Sequence, residues 1–520
     1  MKKEQYKIEV LPQEKTLYAN AGDVLYTLLL VAGLVTPDQE NGDRVRLEKG
    51  AISPAEDPQA EEAAFSQAEL TEGWMLAGGR RICGDAVIYL AGAQEHLPGQ
   101  PLAGGYGLVV DAGTGTIAAG LVNMKGLNIP FLSATHNGQN RFGRDIPDRL
   151  NWLKQHPEDG AAMSRVLSAD IDSLICRVTA KGGIAPEEIH AVTLAANHHT
   201  VSFWLRDLPR QMQRYCCFSA GELGLKNIPE QAKCYILPDA SADIGCDTVA
   251  ACLSVELLAK KDRPAFTMLV DLGMSSEIIL AGRGRILAAS VPTVALEGGN
   301  INCGTYAVTG AITQVIIEDD LFLHTVRDGK PAGICGAGLI SAIHALLDAG
   351  MLDAEGRFLI PGDLPPRLSR HFDEAMGDRR LILSPEGAKG EEIYLNQDDV
   401  RQFQLAKSGV YAACQALLAQ MDAEPGDVEQ ALLAESYGAH IRPASALAVG
   451  LLPALPAEKV RSIGNAAWQG AYLALSNWRC LSESEKLAAA IERVDLSADL
   501  MYAESFIEGM GFYPLEGSAG

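Results

Sequence analysis

A chain of 520 residues in which 66 Asp and Glu outnumber 43 Lys and Arg carries a net charge of −23. That balance argues against a general nucleic-acid binder, which needs a basic face to displace counterions, and against docking on an anionic membrane surface, while leaving room for a local basic patch. Apolar residues at 48% are those of a globular protein, length suggests about three domains, and 52 glycines point to tight turns and close backbone approach.

The start, MKKEQYKIEV, lacks the apolar stretch of a signal peptide. The longest apolar run, from Val24 to Val35, falls short of the ~20 residues a membrane helix needs. The expected location is therefore the cytoplasm. Eleven cysteines fit it: the count is odd, they are scattered, and no CxxC occurs. The adjacent pair Cys216 and Cys217 suits neither a common zinc site nor a mutual disulfide. Most thiols read as reduced core residues.

Residues 1–95 read as a small α+β unit. KIEVLP and EKTLYAN are two strands, and GDVLYTLLLVAGL is an amphipathic helix. RVRLEKG and DAVIYLA are further strands, with SQAELTEGWML a helix between them. The acidic stretch from Ile52 to Ala64 contains prolines and reads as a loop, and residues 96–105, HLPGQPLAGG, as a linker.

From Tyr106 the texture changes. GLVVDAGTGTIAAGLVNM is strand, tight turn, strand, and a similar unit returns at TMLVDLGMSSEIILAGRGRILAAS from Thr267. Between them lie a helix at DRLNWLKQ and a buried strand at HAVTLAANHH. Beyond lies the long helix DDVRQFQLAKSGVYAACQALLAQM, with Val400, Phe403, Leu405, Ala406, Val410, Ala413 and Leu417 near helical spacing. Two similar halves, at 106–265 and 266–520, are expected, rather than a solenoid or an eight-fold barrel.

The turn Asp111-Ala112-Gly113-Thr114-Gly115-Thr116 carries the sharpest chemistry. A hairpin turn of Gly and Thr exposes backbone N–H groups and hydroxyls that can cradle phosphate oxygens. An Asp ending the first strand stands where magnesium or its water is held. The second copy is Asp271-Leu272-Gly273-Met274-Ser275-Ser276-Glu277. There is no GxxxxGK[ST]. Gly336-Ala337-Gly338 lacks the third glycine of a dinucleotide fingerprint and reads as a helix start packed close to other backbone.

These stretches resemble the ATP-dependent reductive activators of corrinoid proteins, ferredoxin-like proteins that carry an actin/sugar-kinase/Hsp70-type ATPase domain. The resemblance runs from Tyr106 to about Pro514. It rests on VVDAGTGTIAAGLV, NRFGRDIPDRL, VDLGMSSEIIL, LEGGNINCGTYAVTGAI, GICGAGLISAIHALLDAG, DDVRQFQLAKSGV and RSIGNAAWQGAYLAL, in the family's order. It implies an α/β fold: a duplicated actin-like ATPase preceded by a β-grasp ferredoxin-like domain. It implies ATP and Mg2+ as ligands, a corrinoid protein or methyltransferase component as partner, and a homodimer. Asp111, Gly113, Thr114, Gly115 and Thr116 would form the first phosphate loop, and Asp271, Gly273, Ser275 and Ser276 the second. Gly336 would join the nucleotide site, with Tyr437 and Gly438 on the adenosine side. Asp111 and Asp271 would hold the metal, and Glu297 and Asp145 match family positions of cleft carboxylates. Either could orient the water attacking the γ-phosphate; a salt bridge and a helix N-cap are the plainer roles.

The chain also departs from the family. Its N-terminal unit should supply four cluster cysteines, yet Cys83 is the sole cysteine before Cys176. One thiolate cannot hold a [2Fe–2S] cluster, so this unit is expected to be a degenerate ferredoxin domain without iron–sulfur cluster. Electrons would then come from a separate reductase. The second loop reads Met-Ser-Ser where relatives have Thr-Asn-Gly, and Glu435 stands where relatives have a Gly-Gly pair. His198 and His199, taken as strand neighbours, should point to opposite faces. The expected function is ATP-driven activation of a corrinoid protein, supporting Co(II) to Co(I) reduction. The alternatives are a non-catalytic regulatory or chaperone-like protein of the same fold, and a small-molecule kinase.

Overall fold

The structure is a computed structural model and describes residues 5–11, 15–32, 34, 44–55, 61, 65, 70–71, 73–90, 102, 104–125, 128–206, 208–359, 366–375, 378–435 and 441–512. The cluster-loop stretch 35–43, most of the 52–64 loop and of the linker, and Tyr437 and Gly438 lie outside the described residues.

The N-terminal unit is a five-stranded sheet in the order β2-β1-β5-β3-β4. Its strands are β1 (Tyr6–Leu11), β2 (Lys15–Ala19), β3 (Arg44–Ile52), β4 (Trp74–Leu76) and β5 (Ile82–Leu90). Helix α1 (Leu25–Val31) buries Leu25, Tyr26 and Leu29 against Ile8, Val10 and Ile88. The first and last strands run parallel, the mark of a β-grasp. One expectation is corrected here. The SQAELTEGWML stretch does not end as helix, because Trp74–Leu76 pairs antiparallel with β3. There Trp74 stacks on Phe65 and meets the edge of Tyr89, and this packing outweighs the local helical pattern. Cys83 lies exposed on β5.

The rest is built on two six-stranded sheets with matching plans. The first half holds β6 (Tyr106–Ala112), β7 (Thr116–Asn123), β8 (Asn128–His136), β9 (Ile189–Ala196), β10 (Cys216–Ser219) and β11 (Lys233–Ile236), in the order β10-β11-β9-β6-β7-β8. In the second half, β12 (Phe266–Leu272), β13 (Ser275–Gly282) and β14 (Arg285–Pro292) repeat the antiparallel meander of β6, β7 and β8. Three short strands, β15 (Ala311–Ile317), β16 (Leu321–Thr325) and β17 (Gly333–Ile334), form a small sheet, as do β18 (Phe372–Ala375), β19 (Asp378–Ser384) and β20 (Ile393–Asn396). With β21 (Val428–Glu435), β22 (Val460–Gly464) and β23 (Ile491–Arg493) the second large sheet reads β22-β21-β12-β13-β14-β23. In each half the Asp-ending strand lies between its hairpin partner and a parallel strand, β9 or β21. Both faces are covered, so these strands are almost wholly apolar.

Among the described residues, the helices of six residues or more beyond α1 are α2 (Ile146–Gln155), α3 (Gly160–Gly182), α4 (His198–Leu205), α5 (Cys246–Ser254), α6 (Gly336–Asp348), α7 (Gln397–Gln420), α8 (Pro443–Ala448), α9 (Ala466–Ser476), α10 (Trp478–Ala490) and α11 (Leu500–Glu508). Two corrections follow. The apolar strand ends at Ala196, and Asn197 accepts from Thr200 N, so His198 and His199 open a helix. His198 Nδ1 then lies 2.6 Å from Asp239 Oδ2. In α7, Leu405 faces solvent at 41% exposure while Val400, Phe403, Val410 and Leu417 are fully buried.

The halves exchange helices. Helix α9 lays Trp468, Ala471 and Leu475 into the first-half core with Leu108, Val110 and Ala191. Helix α5 places Val249, Ala251 and Cys252 in a core with Leu269, Ile279 and Leu432 of the second half. The two helices cross so closely that a Cβ at Gly470 would stand 1.8 Å from the carbonyl oxygen of Ala250. We expect Gly470→Ala to destabilise the protein by about 3 kcal/mol or more. Gly426→Ala, where nothing lies within 4 Å, should be nearly neutral. Urea unfolding midpoints compare them; equal midpoints would refute the close crossing.

No helix among the described residues is long and apolar enough to cross a membrane.

Candidate active site

The two Asp-Gly turns meet across a cleft between the large sheets. Asp111, Gly113 and Thr114 line one side of a cavity of about 90 Å³, and Asp271, Gly273 and Ser275 the other. The turns follow the carboxyl ends of β6 and β12, where open α/β sheets bind ligands.

The first loop is held from behind. Asn137 Nδ2 donates to Gly113 O at 2.9 Å, and Asn140 Nδ2 to Gly115 O at 3.3 Å. Arg149 Nη2 donates to Thr114 O at 2.6 Å. None of these three residues lines the cleft. Three successive carbonyls are thus occupied away from the cavity, which leaves the loop's amides for an anion. Arg149 is fully buried and is held by carbonyl and amide oxygens of Gly143, Gln139, Thr114 and Asn140. Burial lowers its pKa to about 10, so it stays cationic. Gly115 must be glycine, since a Cβ there would stand 2.0 Å from the ring of Tyr306.

The second loop uses its hydroxyls differently. Ser276 is fully buried, with its Oγ 2.5 Å from Thr293 Oγ1, which in turn donates to Gly273 O at 2.9 Å. It braces the turn and does not line the cleft. Ser275 does line it, with its Oγ 2.7 Å from Ser290 Oγ.

Other expected residues divide. Glu297 ends a short 3-10 turn and lines the cleft. Thr116 and Gly336 line a smaller neighbouring cavity. Gly336 starts α6 so close to that turn that a Cβ would stand 1.7 Å from Leu296 O. Asp145 lies elsewhere: it caps α2, accepting from Asp148 N at 2.8 Å.

Several cleft residues escaped the sequence reading. Asn197 donates to Thr114 Oγ1 at 3.0 Å, and Asn465 to Asp111 Oδ2 at 2.6 Å. Both cap helices that follow parallel strands, α4 after β9 and α9 after β22. That shared signature, an apolar run ending in Asn before a helix, is visible in AANHHTVSFW and SIGNAAWQGAYL. Asp247 in the first turn of α5 also escaped the sequence reading; Glu277 on β13, the last residue of the second turn motif, and Glu435, both named from the sequence, complete the wall.

Among the described residues six carboxylates therefore line the cleft, and no Lys or Arg does. Burial, then the charges of Asp247, Asp111, Glu297 and Glu435, raises Asp271 to about 8. Burial raises Asp111 to about 7 and Asp247 to about 6, and pushes Glu277 well up. Among the described residues no three acidic, His or Cys side chains converge as a ready-made metal site. This donor set suits magnesium, a hard ion that takes one or two carboxylates and completes its shell with water and phosphate oxygens. Asp111 and Asp271 are the fitting carboxylates, one at the root of each loop.

Paired β-hairpin loops on duplicated sheets, closing on an acidic cleft, define a protein of the actin, sugar-kinase and Hsp70 class. The chain matches the model described as the RACo middle region over residues 106–260, and that described as the C-terminal ASKHA domain of RACo over 265–518. It belongs to the RACo family, that of the corrinoid reductive activators. It is 27% identical over 419 residues to the corrinoid activation enzyme RamQ of Eubacterium limosum, covering 78% of this chain and 69% of that protein. A solved reductive activator for corrinoid, iron–sulfur protein superposes at a TM-score of 0.73 over 98% of both chains, at 19% identity, and so shares the fold.

Proposed function

We propose that this protein is an ATP-dependent activator of a corrinoid protein in a methyltransferase system, supporting reduction of Co(II) to Co(I) with electrons from another protein. The observation that carries it is the meeting of two equivalent phosphate loops, rooted at Asp111 and Asp271, in one cleft. The corrinoid role is supported by RamQ, named as a corrinoid activation enzyme. Magnesium, when bound, would neutralise the carboxylates and the phosphates together. The chain's own residues bind and orient. The loop amides and Thr114 hold phosphate oxygens, Asn197 and Asn465 fix Thr114 and Asp111, and the Glu297 carboxylate orients the attacking water. The thiols do not fit a cluster in the N-terminal unit, where Cys83 stands alone on an exposed strand position. Hence the electrons have to arrive from outside.

Titration calorimetry tests the nucleotide half. Mg-ATP should bind the wild type, and Asp111→Asn should weaken it by at least about tenfold. Absence of binding at millimolar ATP would refute it. One observation favours a second reading, a non-catalytic regulator of the same fold. The cleft's 90 Å³ is small beside the ~300–1,000 Å³ of small-molecule sites. The same calorimetry separates the two.

A further inference from the structure

At the rim of the cleft the charge changes sign. His136 ends β8 and stands opposite Thr116 in the register with β7, so the two side chains share one face of the sheet. Thr116 and Tyr306 line the small cavity beside the cleft. The rings of His136 and Tyr306 lie 5.5 Å apart, and the Tyr306 ring lies against Gly115 at the tip of the first loop. The backbone here is tied to the same loop, since Asn137 donates its N–H to Gly115 O at 2.9 Å.

Two exposed cations reach this aromatic pair, one from each half. Lys389 sits on the turn between β19 and β20 in the second half. That turn is fastened to its own half: Ala388 N donates to Pro331 O at 2.6 Å, and Lys330 Nζ lies 2.8 Å from Glu386 Oε1. Lys389 nevertheless acts on the first half, because partial burial and then the Lys389 charge lower the pKa of His136. Arg144 belongs to the first half, just before the Asp145 cap of α2. Burial and then Glu297 raise the pKa of Tyr306, and Arg149 and Arg144 draw it back. Lys389 and Arg144 are long and solvent-exposed, so each can turn its charged end toward an anion held by the first loop.

A triphosphate adds negative charge to a cleft already lined by carboxylates, and one magnesium ion offsets it only in part. Its terminal phosphate carries the most charge and the most free oxygens, and so gains most from a cation at the rim. We propose that Lys389 and Arg144 clamp the terminal phosphate of the nucleotide from the two sides of the cleft, and that this clamp makes the site select a triphosphate over a diphosphate. This rests on the phosphate-cleft reading above.

Calorimetry on the full chain compares Mg-ATP with Mg-ADP. Lys389→Ala and Arg144→Ala should each weaken Mg-ATP by about tenfold and leave Mg-ADP within about twofold of the wild type. Lys389→Arg keeps the charge and should restore most of the ATP affinity. Lys125→Ala removes an exposed lysine from the turn between β7 and β8 and should change neither ligand. All three side chains are exposed, so the variants should fold as the wild type does, which equal urea midpoints check. Unchanged ATP affinity in both Lys389→Ala and Arg144→Ala, an equal loss of ATP and ADP, or the same loss in Lys125→Ala overturns the proposal. A loss in only one of the two overturns the two-sided clamp. In those cases loss of both nucleotides in Asp111→Asn leaves the phosphate reading standing. No binding of either nucleotide to the wild type removes the phosphate reading and this inference together.

Discussion

From about pH 5 to about pH 8 the protein should become easier to unfold, and Asp271→Asn should flatten that decline. The cause is the crowding of Asp111, Asp247, Asp271 and Glu277 in one buried cleft beside Glu297 and Glu435. A carboxyl raised in the folded state binds a proton there that the unfolded chain has already released. Between the unfolded value near 4 and the folded values, about 6 for Asp247, about 7 for Asp111 and about 8 for Asp271, the folded state holds more protons, so stability falls as pH rises. For Asp271 alone, at about 8, the span from pH 5 to 8 corresponds to roughly 4 kcal/mol. The sites are coupled, so their contributions do not add. Urea midpoints at about pH 5, 6.5 and 8 for both proteins measure this; parallel profiles would refute it. Magnesium added at the high end should recover part of the loss, because an ion that binds only the folded state stabilises it.

A second slope runs the other way at higher pH. Lys407 on α7 is 1% exposed. Its Nζ donates to Gly511 O and lies 4.7 Å from the centroid of the Phe512 ring. Burial lowers its pKa to about 7. From about pH 7 to the unfolded value near 10.4 the unfolded chain binds the extra proton, so stability rises with pH. Over about pH 7 to 9.5 this is worth roughly 3 kcal/mol. Lys407→Met removes the buried charge and fills the same space, and should abolish the rise while raising stability at about pH 7. Unfolding midpoints at about pH 7 and 9.5 decide it; a rise of equal size in both proteins would show that another group is responsible.

The two Asp-Gly turns were legible because each is a continuous stretch: strand, Asp, Gly, small polar residues, strand. Duplication of that unit announced the two halves. What stayed hidden came from distant segments. Asn197 and Asn465 share the signature of an apolar strand ending in Asn before a helix, but nothing local brings the two segments to one cleft; Asp247, in the first turn of α5, lacks even that signature. Arg149 is one arginine in an amphipathic helix, and its burial depends on carbonyls 35 residues away at Thr114. The serine pair was half readable. Neighbours on a strand face opposite sides, so only one of Ser275 and Ser276 could meet the cleft. His198 and His199 were misplaced because the apolar run gives no sign of ending until Asn197 turns the chain into a helix.

The exchanged helices α5 and α9 give the molecule a dovetail. A cut between the two halves of the sequence would not yield two domains. The first piece would keep α5 with its second-sheet face bared and would lack α9 over its own sheet; the second would carry α9 with nothing to cover. At the Gly470–Ala250 crossing the two halves are pinned together, because each of the two helices is rooted in the core of the other half.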